Sequence, residues 1–250
     1  MSEAYSGLAG CYDQFTGDVP YSEFADFYES VFAARGEKPS LLLDLACGTG
    51  TLALEMARRG YELIAVDGSA DMLAEAADKF AGEDCVPPVL LCQNMQELDL
   101  YGTVDAAYSS LDSFNYLRAD ELRELLRRLA LFISPGGLLI FDVNTPERFR
   151  SLNGRVFVDE SEDALCLWRA DFDEAENCLV YGMDIFTRSG RMWRREQEEH
   201  VEYAHGLDFL RSALADAGFY DIEIAKGPQA ASGRVFFISR NSGKGMKNNG

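Results

Sequence analysis

Apolar and polar positions follow two rhythms along this chain. Up to Asp142, short apolar runs alternate with stretches whose apolar residues recur every three or four positions. That combination predicts buried strands interleaved with amphipathic helices. Strands are predicted at 40–44, 61–66, 89–92, 104–108 and 138–142. Helices are predicted at 21–34, from the turn after 50 to 59, from the Ser69 N-cap to about 80, and at 119–133. In the last of these Asp120 is the expected cap, with Leu122, Leu125, Leu126, Leu129 and Ile133 as the apolar stripe. Pro135-Gly136-Gly137 is expected to turn the chain into the fifth strand. Alternation on this scale implies a parallel sheet with right-handed crossovers. Beyond Asp142 helical spacing fades, and strand-like runs at 165–172, 179–187 and 191–203 are separated by polar turns. They predict an antiparallel meander inserted into the α/β core. A helix at 207–217 and strands at 220–225 and 235–240 close the chain.

The most informative segment joins the first two strands. Leu41-Leu42-Leu43-Asp44-Leu45 runs into Ala46-Cys47-Gly48-Thr49-Gly50, and a second apolar run ends in Asp67, seventeen residues beyond Gly50. A strand, a glycine turn and a second strand tipped by an acid form a nucleotide half-site of a doubly wound fold. Gly48 and Gly50 are expected to let a ligand approach the backbone, and Asp67 offers two oxygens suited to a ribose diol. Read as Gly48-x-Gly50-x-x-Ala53, the turn also meets a dinucleotide fingerprint, so an NAD-dependent oxidoreductase is one alternative. A non-catalytic cofactor-binding protein is another. Asp44 argues against a pyrophosphate and for a cationic ammonium at the strand end.

The run Asp44-Leu45-Ala46-Cys47-Gly48-Thr49-Gly50 resembles motif I of the class I S-adenosylmethionine-dependent methyltransferases, and the order of elements is similar to theirs over nearly the whole length. The likeness is to a small bacterial subgroup with an antiparallel β cover between strand five and the last helix. It implies a doubly wound, mostly parallel seven-stranded α/β sheet with an inserted antiparallel lid, S-adenosylmethionine as cofactor, and methyl transfer to a small molecule, above all to an amine nitrogen. The resemblance divides the chain into a helical cap (1–38), a cofactor-binding core (39–150 and 204–241), a substrate lid (151–203) and a flexible tail (242–250). It places Asp44, Gly48 and Gly50 against the methionine moiety, Asp67 at the ribose hydroxyls and Met72 on the adenine, with Ala46 and Gly68 also in the cofactor site. Asn94, beside Met95, takes the place of the family's acidic adenine reader. Ser110 borders the sulfonium, and Tyr12 closes over the methionine end.

For chemistry at the acceptor, the loops after strands four and five offer Asp112, Phe114, Asn115, Tyr116, Asn144 and Thr145. Asp112, Tyr116 and His200 are the catalytic candidates, with a carboxylate such as Asp112 taking the ammonium proton. Strand alternation groups His200 with Arg194, Glu196, Glu198 and Glu202, a face polar enough to be expected in solvent. His205 is expected to be structural.

Composition narrows the partners. The net charge of −19 repels a phosphate backbone, which excludes nucleic acid as the expected substrate. No apolar stretch is long enough for a membrane span, and the N-terminus does not read as a signal peptide. The six cysteines lack C-x-x-C spacing, so reduced thiols, a cytoplasmic setting and no metal site are expected. Oligomeric state is not encoded in any of these patterns.

Overall fold

The structure, a computed structural model, describes residues 9–243. The first eight residues of the expected helical cap, and the expected tail beyond Gly243, lie outside the described residues. A seven-stranded sheet has the order β10-β11-β5-β4-β1-β2-β3. Its strands are β1 (Leu41–Leu45), β2 (Glu62–Asp67), β3 (Val89–Cys92), β4 (Val104–Ser109), β5 (Ile133–Asn144), β10 (Phe219–Ala225) and β11 (Arg234–Asn241). β11 pairs antiparallel with both β5 and β10, and the ladders from β3 to β5 are parallel.

Both faces of the sheet are covered, which is why its strands read as continuous apolar runs. One face packs Leu43, Leu45, Ala107, Phe141 and Phe237 against the stripe of α5 (Ala119–Phe132) and against Leu210 and Leu214 of α7 (Leu207–Asp216). The other packs Leu42, Ala106, Tyr108, Ile140 and Phe236 against α2 (Tyr21–Ala34) and α3 (Thr51–Arg58) through Phe24, Tyr28, Leu52 and Met56. Successive residues of a strand point to opposite faces, so Leu42 and Leu43 serve different layers. The helix α4 (Ala70–Phe80) starts at Ser69, whose Oγ accepts the Met72 N–H at 3.3 Å.

Several details depart from the sequence reading. The N-cap of α5 is Arg118, not Asp120, and the Glu121 carboxylate takes the Arg118 N–H at 2.7 Å. Pro135-Gly136-Gly137 lies inside β5, because Gly136 at φ 85° lets the strand continue through an irregular register against β4. After β5 come a short helix α6 (Pro146–Leu152) and a strand β6 (Arg155–Glu160), neither of which has a clear period. β6 is the edge of a separate four-stranded antiparallel sheet, continued by β7 (Ala164–Asp173), β8 (Cys178–Ser189) and β9 (Met192–Tyr203). The first described helix, α1 (Ala9–Phe15), puts Tyr12 and Phe15 against Cys166, Met183 and Ile185 of this second sheet.

Candidate active site

At the carboxyl ends of β1 and β2 the two aspartates take up different electrostatic positions. Asp44 is buried between β2 and β4, and the Tyr108 hydroxyl donates to its Oδ2 at 3.1 Å. Burial and, to a lesser degree, the charge of Asp67 push its carboxyl up to about 7, against the pull of the Tyr108 bond. Asp67 receives the Gly48 N–H on Oδ2 and the Ser69 N–H on Oδ1, each at 2.8 Å. Burial raises it, and the backbone N–H groups around it oppose the rise. Between them the chain turns through Ala46 at φ 61° and Gly48 at φ 55°, and the Cys47 N–H donates to Val66 O.

A cavity of about 560 Å³ opens on this turn. Asp44, Ala46, Gly48, Asp67, Gly68 and Met72 are in its lining, as are Asn94, Met95, Ser110, Tyr116 and Tyr12. A Cβ added at Gly48 would meet no protein atom within 4 Å, so the space over that residue is open to a ligand. A buried carboxylate whose one side-chain partner among the described residues is a tyrosine is the complement of a cationic ammonium. The donor set therefore fits an amino-acid cation at Asp44, a diol at Asp67 and a flat apolar group on Met72.

Gly50 is not among the residues that line the cavity; at φ 72° it caps α3, and a Cβ there would stand 3.0 Å from that of Ala76 on α4. Its smallness serves packing between helices. The sequence reading missed Tyr21, Gln93 and Gln96 in the lining, and it missed the clamp over the cavity. Asp13 takes the Thr49 hydroxyl at 2.6 Å on Oδ1 and the Lys79 ammonium at 2.6 Å on Oδ2. That clamp ties α1, and Tyr12 with it, to the glycine turn.

Behind the wall formed by Ser110 to Tyr116 lies a buried polar cluster. Arg234 of β11 pairs with Asp142 of β5 and reaches Asp112 Oδ1 at 3.0 Å. The Asn144 amide donates to Asp112 Oδ2, so both oxygens of Asp112 are engaged. Asn115 is structural: its amide donates to Tyr203 O at 2.9 Å and its oxygen accepts Asn144 N–H at 3.0 Å. Phe114 is core, stacked on Phe141, and Thr145 caps α6. None of these last three lines the cavity.

His200 overturns the expectation of a solvated face. It is 4 % exposed, as is Glu202, whereas Trp193 on the opposite face is 51 % exposed. The Tyr116 hydroxyl lies 3.3 Å from His200 Nδ1, and Glu198 Oε2 lies 3.0 Å from Nε2. The inner side of β9 meets polar loops instead of an apolar core, so its polar residues are the ones that become buried. Glu202, opposite Leu179 in the ladder, was not singled out by the sequence. Burial first, then Asp112, drive its carboxyl well above the usual range. His205 packs on Phe209 with Nε2 2.9 Å from Leu117 O, and burial lowers it.

Residues 42–137 match the model of the methyltransferase domain family. The crystal structure of an S-adenosylmethionine-dependent methyltransferase from Clostridium acetobutylicum ATCC 824 superposes with a TM-score of 0.82 at 26 % identity, covering 94 % of this chain and 98 % of that one. The chain is a class I S-adenosylmethionine-dependent methyltransferase. Its cofactor is S-adenosylmethionine, and the dinucleotide reading of the glycine turn is set aside. A relative from Bacillus subtilis (strain 168), the putative methyltransferase YqeM, is 28 % identical over 95 % of this chain and 97 % of its own length. The sugar N-methyltransferase KedS8 from Streptoalloteichus sp ATCC 53650 shares the methyltransferase fold, with a TM-score of 0.78 at 22 % identity over 94 % of each chain. A glycine/sarcosine N-methyltransferase of Halorhodospira halochloris is 29 % identical over 47 % of this chain and 44 % of its own. No helix among the described residues of this methyltransferase is long and apolar enough to cross a membrane.

Proposed function

We propose that this methyltransferase acts on the nitrogen of a small-molecule amine in the cytoplasm. The observation that carries the reading is the charge balance beneath the second sheet. Asp112, Asp142 and Glu202 converge there on one guanidinium, that of Arg234. A buried cluster with more carboxyl groups than cations favours a cationic guest. Two of the relatives are named for N-methylation, of a sugar and of glycine or sarcosine, which supports the same atom type.

In this reading Asp44 holds the ammonium of the cofactor, Asp67 its ribose hydroxyls, Met72 and Asn94 its adenine, and Tyr12 covers its methionine end. S-adenosylmethionine supplies a methyl group on a sulfonium that leaves as a neutral thioether. The protein's share is alignment, worth about 7–11 kcal/mol of the barrier when the reacting groups are held in line. The second sheet acts as a lid: with α1 packed against it, it keeps water from the acceptor. Tyr116, in the wall of the cavity, borders the transfer zone and links it to His200.

The test is a panel of glycine, sarcosine, methylammonium, 2-amino-2-deoxyglucose, a phenol and a thiol, assayed with methyl-labelled cofactor. Label is expected on nitrogen. Transfer confined to oxygen or sulfur would overturn the reading.

A further inference from the structure

Of the carboxyl groups around Arg234, Glu202 stands apart. Asp112 has both oxygens engaged, by Arg234 and by Asn144. Asp142 is paired directly with the Arg234 guanidinium and also takes the Asp112 N–H at 3.2 Å. Glu202 has no ion pair among the described residues, is 4 % exposed, and its Oε2 is buried with no hydrogen-bond partner. A buried carboxyl oxygen left in this state costs free energy unless a ligand completes it. Its carboxyl bonds to Asp112 and faces the hydroxyl of Tyr116, which lines the cofactor cavity while Glu202 lies behind it. Glu202 is therefore one side chain away from the transfer zone.

We propose that Glu202 is the group that receives the acceptor amine, holding it beside Tyr116 and taking its proton before methyl transfer. This rests on the amine reading above and names the residue that performs it. The acceptor ammonium gives an N–H proton to the Glu202 carboxylate, and the electron pair of that bond stays on nitrogen. That pair forms the new N–C bond while the C–S pair passes to sulfur. Glu202 then returns its proton to solvent. Asp112, engaged on both sides, is a positioning residue that keeps Glu202 and Arg234 in place.

The surroundings disfavour the charged form of Glu202. Facing it are Asp112 and Tyr116 from the loop after β4 and Arg234 from β11, whose guanidinium also pairs with Asp142 of β5. Tyr181 of β8 stands opposite its own strand neighbour His200, which carries Glu198 behind it, and Arg148 of α6 lies beyond Tyr181. Burial and Asp112 outweigh the nearby guanidinium and favour the protonated form of the carboxyl. The free amine carries a proton of its own. When the protonated carboxyl receives the ammonium, the pair keeps one proton to share and binding expels the other.

The experiment measures that proton. The panel amine turned over fastest is titrated calorimetrically into the S-adenosylhomocysteine complex at pH 7 in two buffers of different ionisation heat. Wild type is expected to release about one proton per amine bound. Glu202→Gln, which keeps a donor for Asp112, is expected to release none and to lose about 100-fold or more in kcat/KM. Glu202→Asp is expected to recover part of both. Methylation of amines by wild type with the same proton release and the same kcat/KM in Glu202→Gln would overturn this inference alone. Wild type that methylates only oxygen or sulfur would overturn the amine reading and this inference with it. Unchanged thermal unfolding of Glu202→Gln separates a chemical loss from a folding one.

Discussion

Asp44 and Asp67 were legible because each ends an apolar run, and a carboxylate at a strand end beside a small-residue turn has few structural uses. Their electrostatic difference was not legible. Asp67 is held by two backbone N–H groups, while Asp44 is held up at about 7 by burial. The consequence for stability has the opposite sign to the usual aspartate. The folded carboxyl keeps its proton to about 7, whereas an unfolded one releases it near 3.9. Between those values the folded state binds more protons, so this contribution is complete below the unfolded value and is lost as pH rises through the folded one. The ligand-free enzyme is expected to lose melting temperature between about pH 5 and about pH 7.5, and Asp44→Asn to lose less over the same range. Thermal unfolding across that window checks it; parallel curves for the two proteins would refute the assignment. Glu202 was invisible at this scale, because nothing in Glu198-Glu199-His200-Val201-Glu202 says which face is buried.

At the scale of elements, the glycine turn contains two residues that look equivalent and are not. Both Gly48 and Gly50 have positive φ, 55° and 72°. An alanine at either position bears the left-handed backbone cost of about 1–2 kcal/mol. At Gly50 the added methyl also meets Ala76 at 3.0 Å, whereas at Gly48 it enters the cavity. Gly50→Ala is therefore expected to lower the melting temperature the more, with S-adenosylhomocysteine affinity close to wild type. Gly48→Ala is expected to lose affinity well beyond its loss of stability. Calorimetry on both variants distinguishes the roles, and equal losses of affinity would contradict them. Helices with a full apolar stripe, such as α5, were placed from periodicity to within a residue or two. Where the period was weak, as in α6 and β6, the reading failed. Their ends are set by Thr145 capping and by pairing with β7, both of which depend on tertiary neighbours.

Across the whole molecule, the second sheet is joined to the first through few buried polar links. Asn115 is the central one, with bonds to Asn144 and to Tyr203 at the end of β9. Asn115→Ala leaves the Asn144 N–H and the Tyr203 carbonyl without this partner, which is expected to cost about 1–3 kcal/mol. Amide hydrogen exchange should accelerate in β8 and β9 while β1, β4 and α5 keep their protection. A uniform loss across both sheets would show instead that the two form one cooperative unit.

The order of strands, the layers of the core and the acids at the strand ends were written into the chain, since hydrophobic periodicity and a glycine turn act over a few residues. Which polar face of β9 is buried, and which carboxyl keeps an unpartnered oxygen, depended on packing. Strand alternation assigns residues to two sides but does not say what lies opposite either one. Here the inner side of β9 meets Asp112 and Arg234, and through Arg234 the carboxylate of Asp142, brought together from three distant segments by the closing of the sheet. That meeting turns an acidic strand into part of a buried site.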